Sequence, residues 1–156
     1  MAGKKKKILL MSDDLRMFSG IATQSKEFVL GTIHHYDWVQ IAGAINHPES
    51  GNILDMGEAI KNEHGIKNAY LKLYPVNGYG SADLLREIIS IEKPDAILHF
   101  TDPRFWIWMY QMEHEIRQIS QFFIIIYGMI YQILYGIKII IEVVIYLCQY
   151  QNKLMD

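Results

Sequence analysis

Ile8, Leu9, Leu10 and Met11 form an uninterrupted apolar run that ends abruptly in Ser12-Asp13-Asp14. Four consecutive apolar residues leave no polar face for solvent, so a strand made of them is buried on both sides. Such strands belong to parallel sheets whose crossovers are helices. The polar loop from Ser12 to Gly20 and the apolar-periodic segment that begins at Ile21 complete a strand-loop-helix unit, with Ser19 placed to cap the helix. A chain of 156 residues built from such units is long enough for one α/β domain with a real core.

The same alternation continues downstream. Phe28, Val29 and Ile33, with Ile21 and Ala22 before them, keep the spacing of a helix laid on a sheet, predicted to run to His35. His34 and His35 then sit at its negative end, an arrangement that suits the helix dipole better than metal ligation. Trp38 to Ile45 reads as a second strand, and Asn46 to Asn52 as a loop. Met56 to His64 is a short helix stopped by Gly65, and Ala69 to Val76 a third strand. Gly78-Tyr79-Gly80 invites comparison with a phosphate loop. The third glycine of that fingerprint is missing, Asp83 would repel an anion, and Ser81 serves as the cap of the helix carrying Leu84, Leu85, Ile88 and Ile89. Lys93-Pro94-Asp95 ends that helix and leads into a fourth strand, Ala96 to Phe100. Pro103 is predicted to open a further helix through Arg117.

Four strands alternating with helices predict a Rossmann-like, doubly wound, mostly parallel sheet over residues 1–118. In the common order 3-2-1-4 the chain reverses direction between strands 1 and 4, and a ligand crevice opens at their carboxyl ends. The two loops that border it are Ser12 to Gly20 and Thr101 to Phe105. A net charge of −2 offers no electrostatic footprint for nucleic acid. The single cysteine, Cys148, excludes an internal disulfide framework and agrees with a cytoplasmic setting. Lys4 to Lys7 read as a solvated lead-in, because only four apolar residues follow before Ser12 and a secretory core needs more. No metal is expected: Asp13-Asp14 is not Asp-X-Asp, and His114-Glu115 lacks the second histidine of a zinc motif.

Strand 1, the Ser19-Gly20-Ile21-Ala22-Thr23 turn, the long first helix and Lys93-Pro94-Asp95-Ala96-Ile97-Leu98-His99 together resemble the N-terminal half of a GT-B glycosyltransferase of the glycosyltransferase 4-like group. In that group a small-residue turn, usually Gly-Gly, follows strand 1, and a Lys-Pro-Asp strand leads into the acceptor cleft. The resemblance implies transfer of a sugar from a nucleotide sugar to an acceptor hydroxyl, the hexosyltransferase type of reaction, with no tightly bound cofactor. It places Ser19 and Gly20 near donor phosphates, Asp13 and Asp14 on acceptor hydroxyls, Arg104 on an anionic group, and Asp102 or His99 as the base. Asp102 before Pro103 also suits a helix cap, and His99 a hydrogen-bonded core residue. The donor-binding second domain has no counterpart in these residues, so the chain is expected to be a truncated enzyme without turnover of its own. Two other classes stay open: a non-catalytic α/β ligand-binding domain of flavodoxin-like type, and a membrane-tethered interaction domain.

Residues 119–156 break the pattern. From Gln121 to Leu147 the chain is rich in Ile and Tyr and contains no Ala, Pro, Ser, Thr, Asp, Asn, Arg or His. The stretch is long enough for a membrane helix, yet Lys138 and Glu142 would be costly inside a bilayer. The genetic code offers a third explanation. Met129-Ile130 is encoded ATG followed by AT, so the frame one nucleotide earlier reads GAT, an aspartate, and Tyr127-Gly128 likewise yields Trp or Arg. The favoured expectation is a frameshift near Gln118 to Gln121 with accidental hydrophobicity beyond it. A membrane or interfacial helix and an evolved soluble helix are the alternatives. Sequencing independent copies of the gene across this junction separates them, and an uninterrupted frame in each copy would sink the frameshift.

Overall fold

The computed structural model describes residues 3–44, 46–126 and 129–131. The order of elements is β1 (Lys6–Asp13), α1 (Gly20–Thr32), β2 (Tyr36–Gly43), β3 (Leu54–Asp55), α2 (Gly57–His64), β4 (Leu71–Pro75), α3 (Ala82–Glu92) and β5 (Ala96–Phe100). A 3-10 turn at Pro103–Phe105 follows, then α4 (Ile107–Gln111), α5 (Glu113–Ile119), β6 (Gln121–Ile126) and β7 (Met129–Tyr131). All seven strands share one sheet in the order β3-β4-β2-β1-β5-β6-β7. The five inner strands are parallel, and β3 and β7 close the edges antiparallel. The expected 3-2-1-4 order is present as β4-β2-β1-β5, with the reversal between β1 and β5.

The apolar run of β1 does what its composition demands. Ile8 and Leu10 face one side with Val29 of α1, Ile33 just after it, Trp38 of β2 and Leu98 of β5. Leu9 and Met11 face the other with Leu85 and Ile88 of α3, Met109 of α4 and Ile116 of α5. Helices therefore cover both faces, and the central strand has no polar side. The caps match their residues: the Ser19 hydroxyl accepts from the Ala22 amide, and the Ser81 hydroxyl from that of Leu84. Gly65 ends α2 in the left-handed conformation at φ 68°. Ser19→Ala should cost about 1 kcal/mol by removing this cap. A urea titration checks it, and an unchanged midpoint would refute the role.

The Lys93-Pro94-Asp95 stop ties the start of β5 to the start of β1. Asp95 donates its amide to the Lys7 carbonyl at 2.8 Å and accepts the Lys7 amide on its carboxylate at 2.8 Å. At the same end of the sheet Glu92, only 5% exposed, accepts from Lys7 Nζ at 3.0 Å, from the Tyr70 hydroxyl at 3.2 Å and from the Tyr74 hydroxyl.

Several boundaries differ from expectation. The first helix starts at Gly20 and ends at Thr32, so His34 and His35 lie in the turn beyond it. The second strand stops at Gly43, and the short β3 carries no apolar pattern that could announce it. The helix expected from Pro103 to Arg117 is broken at Trp106 and Met112. Both are buried, and interrupting the helix lets Trp106, Met109, Met112 and Ile116 all reach the sheet. Beyond residue 118, β6 pairs with β5 from Ala96↔Gln121 to Phe100↔Ile125, so the sheet continues into the compositionally distinct stretch. Residues 132–156, on which most of the out-of-frame, membrane-helix and soluble-helix readings fall, lie outside the described residues. Among the described residues no helix is long and apolar enough to cross a membrane.

Candidate functional site

The carboxyl ends of β1 and β5 lie side by side, and the loops that leave them meet through Asp13. Its carboxylate accepts from the Thr101 hydroxyl at 3.0 Å on one oxygen, and the Ser19 hydroxyl lies 3.4 Å from the other. Three consequences of local sequence converge here: the end of the β1 apolar run, the cap of α1, and the Thr101 that ends β5. Helix geometry leaves the first amides of α1, those of Gly20 and Ile21, without intrahelical acceptors. A side chain at Gly20 would meet nothing within 4 Å, so the approach to this helix end is open. No acidic residue occupies the first turn of α1, although the Asp13 carboxylate stands beside its Ser19 cap.

Asp14 takes a different part. It is fully buried, and its carboxylate accepts from the Arg16 amide at 2.7 Å and from the Arg16 guanidinium at 2.8 Å. His47 Nε2 lies 2.9 Å from the same group, and Arg16 reaches on to Glu49 at 2.9 Å. Asp14 is thereby the anchor that fastens the loop after β2 to the loop after β1, and its oxygens are occupied. Gln40 fixes the β1 loop from beneath. Its amide nitrogen donates to the Ser12 hydroxyl and to the Asp13 carbonyl, each at 2.7 Å, and its oxygen accepts from the Leu15 amide at 3.3 Å.

Asp102 and Arg104 stand on the facing loop. The Asp102 carboxylate accepts from the Arg104 amide and from its guanidinium at 3.0 Å, a bidentate clasp within the 3-10 turn. Hydrogen bonds from the Arg104 side chain and backbone hold Asp102 below the usual carboxylate range. The turn-capping role expected of Asp102 is thus the one its hydrogen bonds display. His99 is not part of the cluster. It is fully buried on the α3 side of the sheet, its Nδ1 2.9 Å from the Tyr110 hydroxyl and its ring edge-on to Trp106 at 5.2 Å. Burial pushes its pKa down to about 4, so the ring is neutral.

Tyr79 is a neighbour that the sequence pattern did not nominate for the site. Gly78 and Gly80 both have positive φ, 68° and 80°, and between them they swing Tyr79 toward the crevice. The Ala44 amide donates to the Gly78 carbonyl at 2.7 Å, and a side chain at Gly43 would press within 3.0 Å of that carbonyl. Glycine is required at both ends of this contact. The Tyr79 ring stacks on Phe105 with centroids 4.8 Å apart and planes 9° from parallel. Burial first, and then the charges of Asp13 and Asp102, raise the pKa of its hydroxyl.

The structure therefore brings Asp13, Ser19, Gly20, Asp102 and Arg104 to one end of the sheet, assigns Asp14 to holding loops together, and leaves His99 in the core. Gln40, Thr101 and Tyr79 are additions. A lone amide between Val39 and Ile41 in an apolar strand was the available signal for Gln40; the other two depend on which strands become neighbours. Among the described residues no group of three or more His, Cys, Asp or Glu is arranged to hold a metal ion. No family model, curated protein or solved structure matches the chain.

Proposed function

We propose that this α/β unit is the acceptor-binding half of a glycosyltransferase of GT-B architecture, with a Rossmann-like sheet presenting the acceptor to a nucleotide sugar. The observation that carries the reading is the position of Asp13. It is a carboxylate anchored by Thr101 at the strand reversal, beside the open amino end of α1 and opposite Asp102. A polyhydroxylated acceptor needs acceptors for its hydroxyl hydrogens, and two carboxylates oriented from opposite loops provide them.

In this reading Asp13 orients the acceptor. Asp102 receives the proton as the acceptor oxygen forms its bond to the anomeric carbon and the nucleoside diphosphate leaves with the electron pair of the broken bond. The Arg104 clasp lowers the basicity of Asp102, and release of one oxygen from that clasp would raise it toward that of an ordinary carboxylate. The free amides at Gly20 and Ile21 favour the negative charge of the departing diphosphate. The nucleoside portion of the donor is assigned to a second domain, as the architecture requires.

Saturation-transfer NMR on the full chain with a panel of methyl glycosides tests the reading. At least one glycoside is expected to bind, and Asp13→Asn should weaken it about tenfold, the loss of one charge-assisted hydrogen bond. Circular dichroism checks that the variant stays folded. Binding of flavin mononucleotide in place of every glycoside would replace the proposal with a flavodoxin-like ligand domain.

A further inference from the structure

Phe105 is half exposed at the mouth of the crevice, although an aromatic ring in water is normally unheld. Here it is fixed. Tyr79 backs it in a near-parallel stack, Trp106 braces Tyr79 edge-on at 5.6 Å, and the Arg104 guanidinium lies 5.9 Å from the Phe105 ring centre. Trp106 is fully buried, so the assembly is rooted in the core. A solvent-facing ring held this firmly is a preformed wall whose ordering entropy has already been lost on folding.

The Tyr79 hydroxyl supplies a second, independent observation. It donates to no described residue, while the neighbouring Tyr74 and Tyr110 hydroxyls have partners. A phenol fixed by its ring contacts to Phe105 and Trp106, with no described acceptor for its hydroxyl, is a donor available to a ligand. Its two flanking glycines hold it there by a backbone conformation that other residues rarely adopt.

We infer that Phe105 and Tyr79 form the sugar-ring subsite of the acceptor: a pyranoside lays its apolar C-H face on Phe105, and its hydroxyls bridge the Tyr79 hydroxyl and the Asp13 and Asp102 carboxylates. This deepens the acceptor-half reading and rests on it. The substrate class is a neutral glycoside whose ring has an uninterrupted apolar face, and Phe105 and Tyr79 are specificity-determining residues. Stacking selects the face, and the three polar groups select the hydroxyl pattern.

The test uses the full chain and the glycoside that gives the strongest saturation transfer in a panel of methyl α- and β-pyranosides. Transfer is expected to concentrate on the ring protons of one face. Phe105→Ala should weaken binding about tenfold and abolish that pattern, consistent with one aromatic contact. Tyr79→Phe keeps the stack, so it should preserve the pattern while weakening binding several-fold. Near-wild-type melting of both variants shows that the fold persists. Glycoside binding that survives Phe105→Ala with its pattern intact overturns the subsite and leaves the acceptor-half reading standing. If no glycoside binds the wild-type chain, both fall together.

Discussion

Glu92→Ala is expected to cost the folded chain about 3 kcal/mol, the low end of the range for removing one member of a buried ion pair. Three donors converge on Glu92, namely Lys7 Nζ and the hydroxyls of Tyr70 and Tyr74. Alanine would leave the Tyr74 hydroxyl in the core and Lys7 facing a cavity. Lys7 retains 21% side-chain exposure and can partly rehydrate, which keeps the loss from the upper end of the range. Glu92→Gln should cost less, because the amide oxygen still accepts from one tyrosine. Urea unfolding of the three chains gives the comparison.

The same substitution has a pH signature. Burial pushes the Glu92 pKa up, but hydrogen bonds from Tyr74 and Lys7 and the charge of Lys7 outweigh it, and the net shift is downward from 4.5. A depressed carboxylate pKa contributes stability that is fully present above the unfolded value and is lost as pH falls through the folded one. The gap between wild type and Glu92→Ala should therefore be constant above about pH 5.5 and narrow in acid. A gap as wide at pH 3 as at pH 7 would show that packing, and not charge, accounts for the cost.

His99 should impose the second large effect, at milder pH. Its folded pKa is about 4 against 6.5 for the free side chain, and the cause is burial. Between these values the unfolded chain binds a proton that the folded chain refuses. Stability must then fall as pH drops below about 6.5 and continue falling to about 4, by about 3 kcal/mol in all. His99→Gln removes the titration and keeps a polar group near Tyr110. The difference in unfolding free energy between wild type and His99→Gln should slope with pH across that window and flatten on either side. A difference that stays level from pH 7 to pH 4 would place a proton-accepting partner beside Nε2, which has none among the described residues.

The two effects fall at opposite ends of the legibility of this chain. His99 was visible in the sequence as a polar residue inside Ala96-Ile97-Leu98-His99-Phe100, and its surroundings are apolar because alternate positions of β5 face opposite layers. Glu92 at the end of α3 looks like any helical surface charge. Only the fold brings it against Lys7, 85 residues earlier in the chain, and against Tyr70 in the loop before β4 and Tyr74 near the end of that strand.

Short-range physics settled much of the rest from the sequence. The apolar run of β1 forces burial on both faces, and hence parallel neighbours and helices above and below. Ser19, Ser81 and Gly65 mark helix ends because each supplies or frees a backbone hydrogen bond within a few residues of itself. The crevice between the first and fourth long strands follows from chirality and strand order, which the alternation of elements already restricts. The compositional break after residue 118 was equally plain, although the participation of Gln121–Ile126 in the sheet was not. A strand of Phe and Ile carries no alternation to distinguish it from a buried helix.

What only the tertiary structure decided is which side chains line that crevice. Asp13 and Asp14 are adjacent and chemically identical, yet one presents its carboxylate between two loops and the other is consumed by Arg16 beside His47. The difference arises because successive side chains at a strand end leave on opposite sides and meet different loops. Tyr79 takes its place through two left-handed glycines and a carbonyl held by Ala44, a contact between segments more than thirty residues apart. Local sequence determines that a crevice can open at this edge; the packing of distant loops determines which groups line it.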